Sequence, residues 1–506
     1  MILKWLIALM AITYTQVEAA RILGLIWTFS RSHHIAGSTL LKELAKTGHE
    51  VHLLSTYNDN VDIPNFTQEL LTGIIVPGDG MSNPNSSVFT MLFDFVPIMN
   101  KNVEKFWENE AVQKLIRTKP KYDAVIVLTF FNDFVLALPH YLKAPTIIYS
   151  SMSSNPINNK YVANPSLPYA TGLAKNGFFA RLNFVTLNVV IYVIEAYFLA
   201  PLQNRINEKY LPDVPPIEVL NKNVSLVLIN SHYAIEGPRP YVPNMVQIGG
   251  FHTREVKKLP ENLQTYLDSA KDGAILFSMG TNVKLSKNLQ RNQLDAIMSG
   301  LGKVAPIKVL FKSEIDIPSA PENVLVSNWL PQNDILAHPN LKVFISHGGL
   351  AGTTEAVYHG VPMLGIPFFA DQKFNIGSMS EVGLAVTLDV DRITEQTFYA
   401  ALEELLTNPT YSTNAKKRSS LLKNQPVSSL QKAIWWIEHI IEYKGGEHLR
   451  NVGMELEWYH LYMVDVMAFF LALILVVLAI SFIVIRWVLR ILYNICRGKP
   501  KKEKKH

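Results

Sequence analysis

Short apolar runs alternate along this chain with stretches whose hydrophobic residues recur at helical spacing. Residues 21–29, 50–55, 123–128 and 145–150 read as extended, and residues 35–46 as an amphipathic helix. The second half repeats the style, with extended runs at 274–278, 307–311, 323–326, 342–346 and 361–365 between helical segments. Strands separated by helices predict parallel α/β structure, here as two doubly wound, Rossmann-like domains. The boundary falls in residues 249–260, where Gly249-Gly250 and a charged stretch precede a helix-like segment at 261–269. The two domains are thus expected over 20–250 and 251–445, and residues 431–443, with Trp435 and Trp436, read as a terminal helix. Ligands of open α/β sheets bind beyond the strand C-termini, so a cleft between two such domains is where two substrates meet.

Two further apolar runs lie at the ends. Lys4, the run from Trp5 to Ile12 and the small residues before Ala19 form a signal-peptide pattern over residues 1–19. After a juxtamembrane stretch at 446–465, residues 466–485 carry no charge and are long enough to cross a bilayer as a transmembrane helix. Residues 486–506 hold eight Lys or Arg against Glu503, a net +7; with +5 overall, residues 1–485 carry −2. The basic charge is therefore a topology signal, placing a basic tail in the cytosol and the folded part in the lumen as a single-pass type I protein, and it gives no support to a nucleic-acid partner. A third apolar segment, residues 182–201, contains Asn183, Asn188 and Glu195. A central acid costs roughly 2.5–3.5 kcal/mol in a membrane, and a crossing there would separate the two domains. It reads as a helix of the acceptor pocket or one lying on the lumenal leaflet.

At 506 residues and 48% hydrophobic content the chain is neither disordered nor a single small domain. Its one cysteine, Cys496, lies in the tail, so no disulfide is expected in the lumenal part. Asn65, Asn85 and Asn223 head glycosylation sequons that would be lumenal.

The densest chemistry lies between Trp329 and Gln372: Trp329-Leu330-Pro331-Gln332, then Ser346-His347-Gly348-Gly349, Glu355 and Asp371-Gln372. A strand at 342–346 running through Gly348-Gly349 into a helix near Gly352-Thr353, with Glu355 in its first turn, aims free N–H groups at an anion. This run resembles the signature of UDP-glycosyltransferases of the membrane-bound animal and insect type. The resemblance implies a GT-B fold with the two domains facing a cleft, and a UDP-sugar as donor. Trp329 then stacks on uracil, Gln332 reaches ribose or base, and His347 with the backbone around Gly349–Thr353 holds the diphosphate. Glu355 takes the ribose diol, and Asp371 and Gln372 take the sugar hydroxyls. Thr281, after the strand at 274–278, matches a hydroxyl placed against the phosphates. Gly352 stands where many members carry Ser. No Walker-type lysine motif or complete Gly-x-Gly-x-x-Gly turn is present, which sets aside nucleotide hydrolysis and hydride transfer.

For the reaction, the resemblance implies a His after the first strand as general base. Counting back from His49 in Gly48-His49-Glu50 selects His33 over His34. Family members place an acid at the position of Leu128; Asp133 is the nearest acid able to substitute, or it caps the helix that follows. The implied activity is inverting transfer of a hexose, glucose or glucuronate, to a hydroxyl of a small lipophilic acceptor, without cofactor or metal. The last five residues resemble a lysine-type retrieval signal for the endoplasmic reticulum. The alternatives are a catalytically inactive lumenal nucleotide-sugar or lipophile binder, or a transferase acting on a membrane lipid; a homo-oligomer stays open.

Overall fold

The computed structural model describes residues 19–73, 97–98, 101–166, 177–253, 255–281, 283–369 and 371–498. The signal-peptide pattern, Asn85 and the retrieval-like terminus lie outside them. Residues to Asn451 form one compact unit and those from Val452 another.

The first unit holds two all-parallel sheets. In the N-terminal sheet, β1 (Arg21–Ile26), β2 (Glu50–Ser55), β3 (Phe66–Leu70), β4 (Ala124–Leu128), β5 (Thr146–Ser150), β6 (Val224–Ile229) and β7 (Met245–Gln247) take the order β3-β2-β1-β4-β5-β6-β7. In the C-terminal sheet, β8 (Ala274–Ser278), β9 (Lys308–Lys312), β10 (Val324–Ser327), β11 (Leu341–Ser346), β12 (Met363–Gly365) and β13 (Ala385–Thr387) take the order β10-β9-β8-β11-β12-β13. The helices that carry the argument are α1 (Arg31–Lys46), α2 (Gly177–Ile194), α3 (Ala200–Tyr210), α4 (Leu350–His359), α5 (Gln372–Glu381), α6 (Ser429–Glu442) and α7 (Val464–Cys496).

Alternation along the strands explains the layering. In β1, Leu23 and Leu25 join one buried cluster while Ile22 and Ile26 join another; in β4, Val125 and Val127 divide from Ile126 and Leu128 in the same way. The C-terminal sheet does likewise, with Ile275 and Phe277 on one side and Leu276 on the other. A strand apolar on both faces needs helices on both, which is the three-layer α/β solution. Truncating a fully buried leucine such as Leu23 costs about 2–5 kcal/mol.

The two halves of this unit are stitched together. α6 leaves the C-terminal half and places Ala433, Ile437 and Ile440 in the cluster that also holds Leu40, Leu41 and Leu44 of α1. Glu438 meets His49 at 3.2 Å. In the other direction, Ala234 and Ile235 enter a cluster of the C-terminal half.

Several expectations shift. β3, β7 and β13 are not among the expected strands: β3 is a polar edge and the other two span three residues. β6 was also unexpected although all its residues but Ser225 are apolar and buried. α1 begins at Arg31 rather than residue 35, and α4 at Leu350 rather than near Gly352. Asn65 and Asn223 are exposed. In the second unit, α7 extends past the expected span to Cys496, with no buried residue.

Candidate active site

Every expected catalytic and substrate-binding residue, Asp133 included, follows the carboxyl end of a parallel strand or stands on the helix after it, where chain reversals leave room for ligands. Four C-terminal strands contribute: β8 leads to Thr281, β10 to Trp329 and Gln332, β11 to His347 and α4, and β12 to Asp371 and Gln372.

α4 starts with Gly349 as its N-cap residue, and no side chain caps it. The N–H groups of Leu350, Ala351 and Gly352 occupy its first turn, where an α-helix offers no internal acceptor. Thr353 is already committed, its N–H donating to the Gly349 carbonyl at 3.0 Å. The N–H groups open to an anion are therefore those of 350–352, within the expected Gly349–Thr353 stretch, and because the helix starts two residues earlier than expected Glu355 falls in its second turn. There Glu355 accepts from Gln332 Nε2 at 2.6 Å. This charge-assisted bond fixes two expected ribose contacts against each other.

The His347 imidazole lies close over two glycines. A Cβ at Gly349 would stand 2.5 Å from Nε2, and one at Gly280, where φ is +73°, would stand 2.7 Å from Cε1. At Gly280 the positive φ also favours glycine, and at Gly349 any side chain would require the His347 ring to move. Burial, followed by the nearby Lys312 charge, lowers the His347 pKa to about 4, so the ring is neutral and can donate one N–H. Its Nδ1 is buried and has no protein partner. A side chain at Gly352 would approach Gln332 Nε2 to 3.3 Å, a tight but tolerable contact.

Lys312, at the end of β9, escaped the sequence reading. Its ammonium donates to the Gly280 carbonyl at 3.0 Å, and burial lowers its pKa. It brings a cation beside His347 and the exposed Thr281; a lysine one residue past the strand expected at 307–311 was the only available signal. Trp329 is 62% exposed, open to a flat ring. Gln372 is buried, its Oε1 accepting from the N–H groups of Phe368 and Phe369 at 2.8 and 3.1 Å, which leaves its amide nitrogen as the group it offers. Asp371 accepts from Asn375 Nδ2 at 2.8 Å, and burial outweighs that bond to hold its carboxyl above the usual range. Asn375 also donates to the Gly348 carbonyl at 2.9 Å, tying the expected phosphate end to the expected sugar end. It too was missed, lying one turn beyond the expected pair.

In the N-terminal half, β1 runs through Ser30, the N-cap residue of α1, and His33 stands in the first turn. Desolvation lowers the His33 pKa to about 4. Its neighbour His34 is spent elsewhere: Nε2 meets Asp59 Oδ1 at 3.1 Å, and Lys42 Nζ meets the same oxygen at 3.0 Å. Burial pushes the Asp59 carboxyl up, but the bonds and charges of His34 and Lys42 win and its pKa is lowered.

Asp133 is not paired with His33. Its Oδ1 accepts from Tyr161 Oη at 2.6 Å and its Oδ2 from Lys160 at 2.7 Å and Asn221 at 3.1 Å. Nor is it the cap, because Asn132 precedes it at that position. Asp133 is the anchor of a buried ionic knot, and Leu128 is buried at the end of β4. The imidazole–carboxylate pair sought at His33 occurs one residue on, at His34 and Asp59.

Known proteins share this family and fold. The family model described as "UDP-glucoronosyl and UDP-glucosyl transferase" matches residues 81–502. UDP-glycosyltransferase UGT5 of Dactylopius coccus is 30% identical, covering 96% of both chains. UDP-glucuronosyltransferase 2A3 of Cavia porcellus is also 30% identical, over 88% of this chain and 89% of its own. Among solved structures, the calicheamicin glycosyltransferase CalG4 superposes with a TM-score of 0.59 at 15% identity, covering 85% of this chain and 99% of its own, a likeness of GT-B fold. With its family model matched over residues 81–502 and relatives aligned over nearly its whole length, the chain belongs to the UDP-glucuronosyl and UDP-glucosyl transferase family and is a glycosyltransferase.

Proposed function

We propose that the protein moves glucose or glucuronate from its UDP-sugar to a hydroxyl of a small lipophilic acceptor, inverting the anomeric carbon, with His33 as general base. The observation that carries this is His33 itself: a neutral imidazole in the first turn of α1, while His34 is committed to Asp59. His33 takes the acceptor proton as the oxygen attacks the anomeric carbon from the face opposite UDP. The UDP that leaves gains negative charge, met by the N–H groups of Leu350, Ala351 and Gly352, by the His347 N–H and by Lys312. In this reading Trp329, Gln332 and Glu355 hold the nucleoside, Thr281 and Gly349 border the phosphates, and Asp371 and Gln372 hold the sugar. No metal has a part in it. Transfer that survives a chelator supports this, and restoration by added magnesium contradicts it.

α7 would anchor the chain in the endoplasmic reticulum membrane with the two sheets lumenal. Removal of N-glycans should then shift the mobility of the protein, and the shift should shrink in Asn65→Gln or Asn223→Gln. The decisive assay gives microsomes carrying the protein labelled UDP-glucose or UDP-glucuronate with phenols, alcohols and ceramide in parallel. Labelled product with a phenol or alcohol, lost in His33→Ala, supports the reading; preference for ceramide selects a membrane-lipid transferase. The second reading, a binder without turnover, draws on the absence of a carboxylate at Leu128. UDP binding with no product from any donor selects it.

A further inference from the structure

The Gly249-Gly250 pair does more than mark the boundary between the two halves. The Phe251 N–H donates to the Ile248 carbonyl at 3.2 Å, closing a turn whose third residue, Gly250, has a φ of +86°. A turn with that backbone asks for glycine there. Gly249 passes so close to the neighbouring chain that a Cβ would stand 2.6 Å from the Ser231 carbonyl. A second turn follows at once, with the Thr253 N–H donating to the Gly250 carbonyl at 3.0 Å. Through these turns the linker delivers two adjacent rings, Phe251 and His252, to different halves of the folded unit.

Phe251 faces the N-terminal half. It is buried in the cluster that holds Leu40 and Leu41 of α1, and its ring meets Tyr149 edge-on with the centroids 5.7 Å apart. His252 faces the other way, its Nε2 lying 3.4 Å from the carbonyl oxygen of Ala351 in the first turn of α4. A carbonyl can only accept, so Nε2 carries the proton and Nδ1 is a bare acceptor. That Nδ1 is buried and finds no partner among the described residues. Desolvation outweighs the Ala351 bond and lowers the His252 pKa to about 4, which keeps the ring neutral.

The Ala351 carbonyl belongs to the same planar peptide unit as the Gly352 N–H, the last of the three that α4 leaves open to an anion. Hydrogen bonding at the carbonyl end polarises the unit and strengthens its N–H end, on the order of 10–30% per bond. It also fixes the tilt of the unit, and with it the aim of the N–H. At 3.4 Å the bond is long, so the effect is a modest one. Packing alone would be served by phenylalanine, which leaves no acceptor unmet in the interior. What histidine adds at this place is the Nε2–H.

We propose that His252 is a positioning residue for the donor: from the linker between the two halves it orients and polarises the Gly352 N–H towards the diphosphate of the UDP-sugar. This deepens the reading of α4 as the diphosphate site and rests on it. The linker thereby takes part in donor binding, since the turn that seats Phe251 in the N-terminal half sets where His252 meets α4.

Calorimetry on the full-length protein in detergent compares UDP with uridine for the parent, His252→Phe and His252→Gln. The first variant keeps a ring and loses the donor; the second loses the ring and keeps an amide N–H at about the reach of Nε2. His252→Phe should bind UDP about three- to tenfold more weakly, as befits one hydrogen bond, with uridine affinity within about twofold of the parent. His252→Gln should hold UDP within about twofold of the parent. A packing role gives the reverse, with His252→Phe harmless and His252→Gln weak, and that result would overturn the proposal. Equal losses for UDP and uridine in either variant, or unchanged UDP affinity in both, would overturn it too. A parent that binds uridine as tightly as UDP would instead remove α4 as the diphosphate site, and the proposal would fall with that reading.

Discussion

The two halves of the folded unit use one architecture for different work, and differ in how tightly their polar groups are cross-tied. In the C-terminal half the Gln332–Glu355 bond, the Asn375 bridge from Gly348 to Asp371 and the seat of His347 on two glycines join the expected donor contacts into a connected frame. In the N-terminal half no polar partner of His33 is found among the described residues, and the strong carboxylate contacts go to His34 and into the Asp133 knot. Preorganisation is thus dense where the donor is proposed to be held and sparse where the proton is proposed to move. A GT-B enzyme can separate these tasks because each sheet presents its own row of strand ends.

That contrast can be broken in graded steps. The largest effect should come from His33→Ala: loss of a general base lowers kcat by about 10²–10⁴-fold. Progress curves with a fixed phenol would show it, and a drop under threefold would move the base elsewhere. Next, Asp133→Ala should cost about 3–5 kcal/mol of stability by leaving buried partners unmatched. It should not move the acid limb of the pH–rate profile, which would shift if Asp133 steadied His33. Gly349→Ala should weaken UDP binding on the order of tenfold or more, because the new methyl displaces the His347 ring. Glu355→Gln should raise the KM for the UDP-sugar roughly tenfold, the value of one charge-assisted bond; calorimetry with UDP alone would show the same loss.

The smallest effects concern pH. His33 has a pKa of about 4 and must be neutral to act, so kcat/KM should hold steady from pH 7 down to about 5 and fall as the pH drops through about 4. A limb near 6.5 would mean a solvated imidazole. His33, His232, His252, His347 and His359 are all lowered to about 4 by burial. Between pH 6.5 and 4 the unfolded chain binds more protons than the folded one. Their contribution is therefore fully present above pH 6.5 and is lost as pH falls towards 4, so Tm should be lower at pH 5 than at pH 7.

The contrast also explains what the sequence could disclose. The donor frame is local: Trp329 to Gln372 lie on consecutive strand–helix units, so their spacing carries the geometry. Only the register of α4 misled, since Gly349 rather than a side-chain cap begins that helix. Lys312 joins the site from a neighbouring strand, and spacing along the chain says nothing of that. At the catalytic end the relevant partners are distant. Asp59 reaches His34 from the loop after β2, while Lys160, Tyr161 and Asn221 reach Asp133 across 27 to 88 residues. No periodicity announces such pairings. The apolar segment at 182–201 was legible as hydrophobic, but which way its polar residues turned was a question for tertiary structure.

One paired experiment tests the division of labour most directly: UDP titration and single-turnover transfer on the parent protein, His33→Ala and Gly349→Ala. The account predicts a crossed result, in which His33→Ala binds UDP within about twofold of the parent yet loses at least about 10²-fold in transfer. Gly349→Ala should lose UDP affinity yet recover transfer at saturating donor. If His33→Ala transferred sugar at the parental rate, or lost UDP affinity as steeply as Gly349→Ala, the assignment of binding to one half and proton transfer to the other would be contradicted.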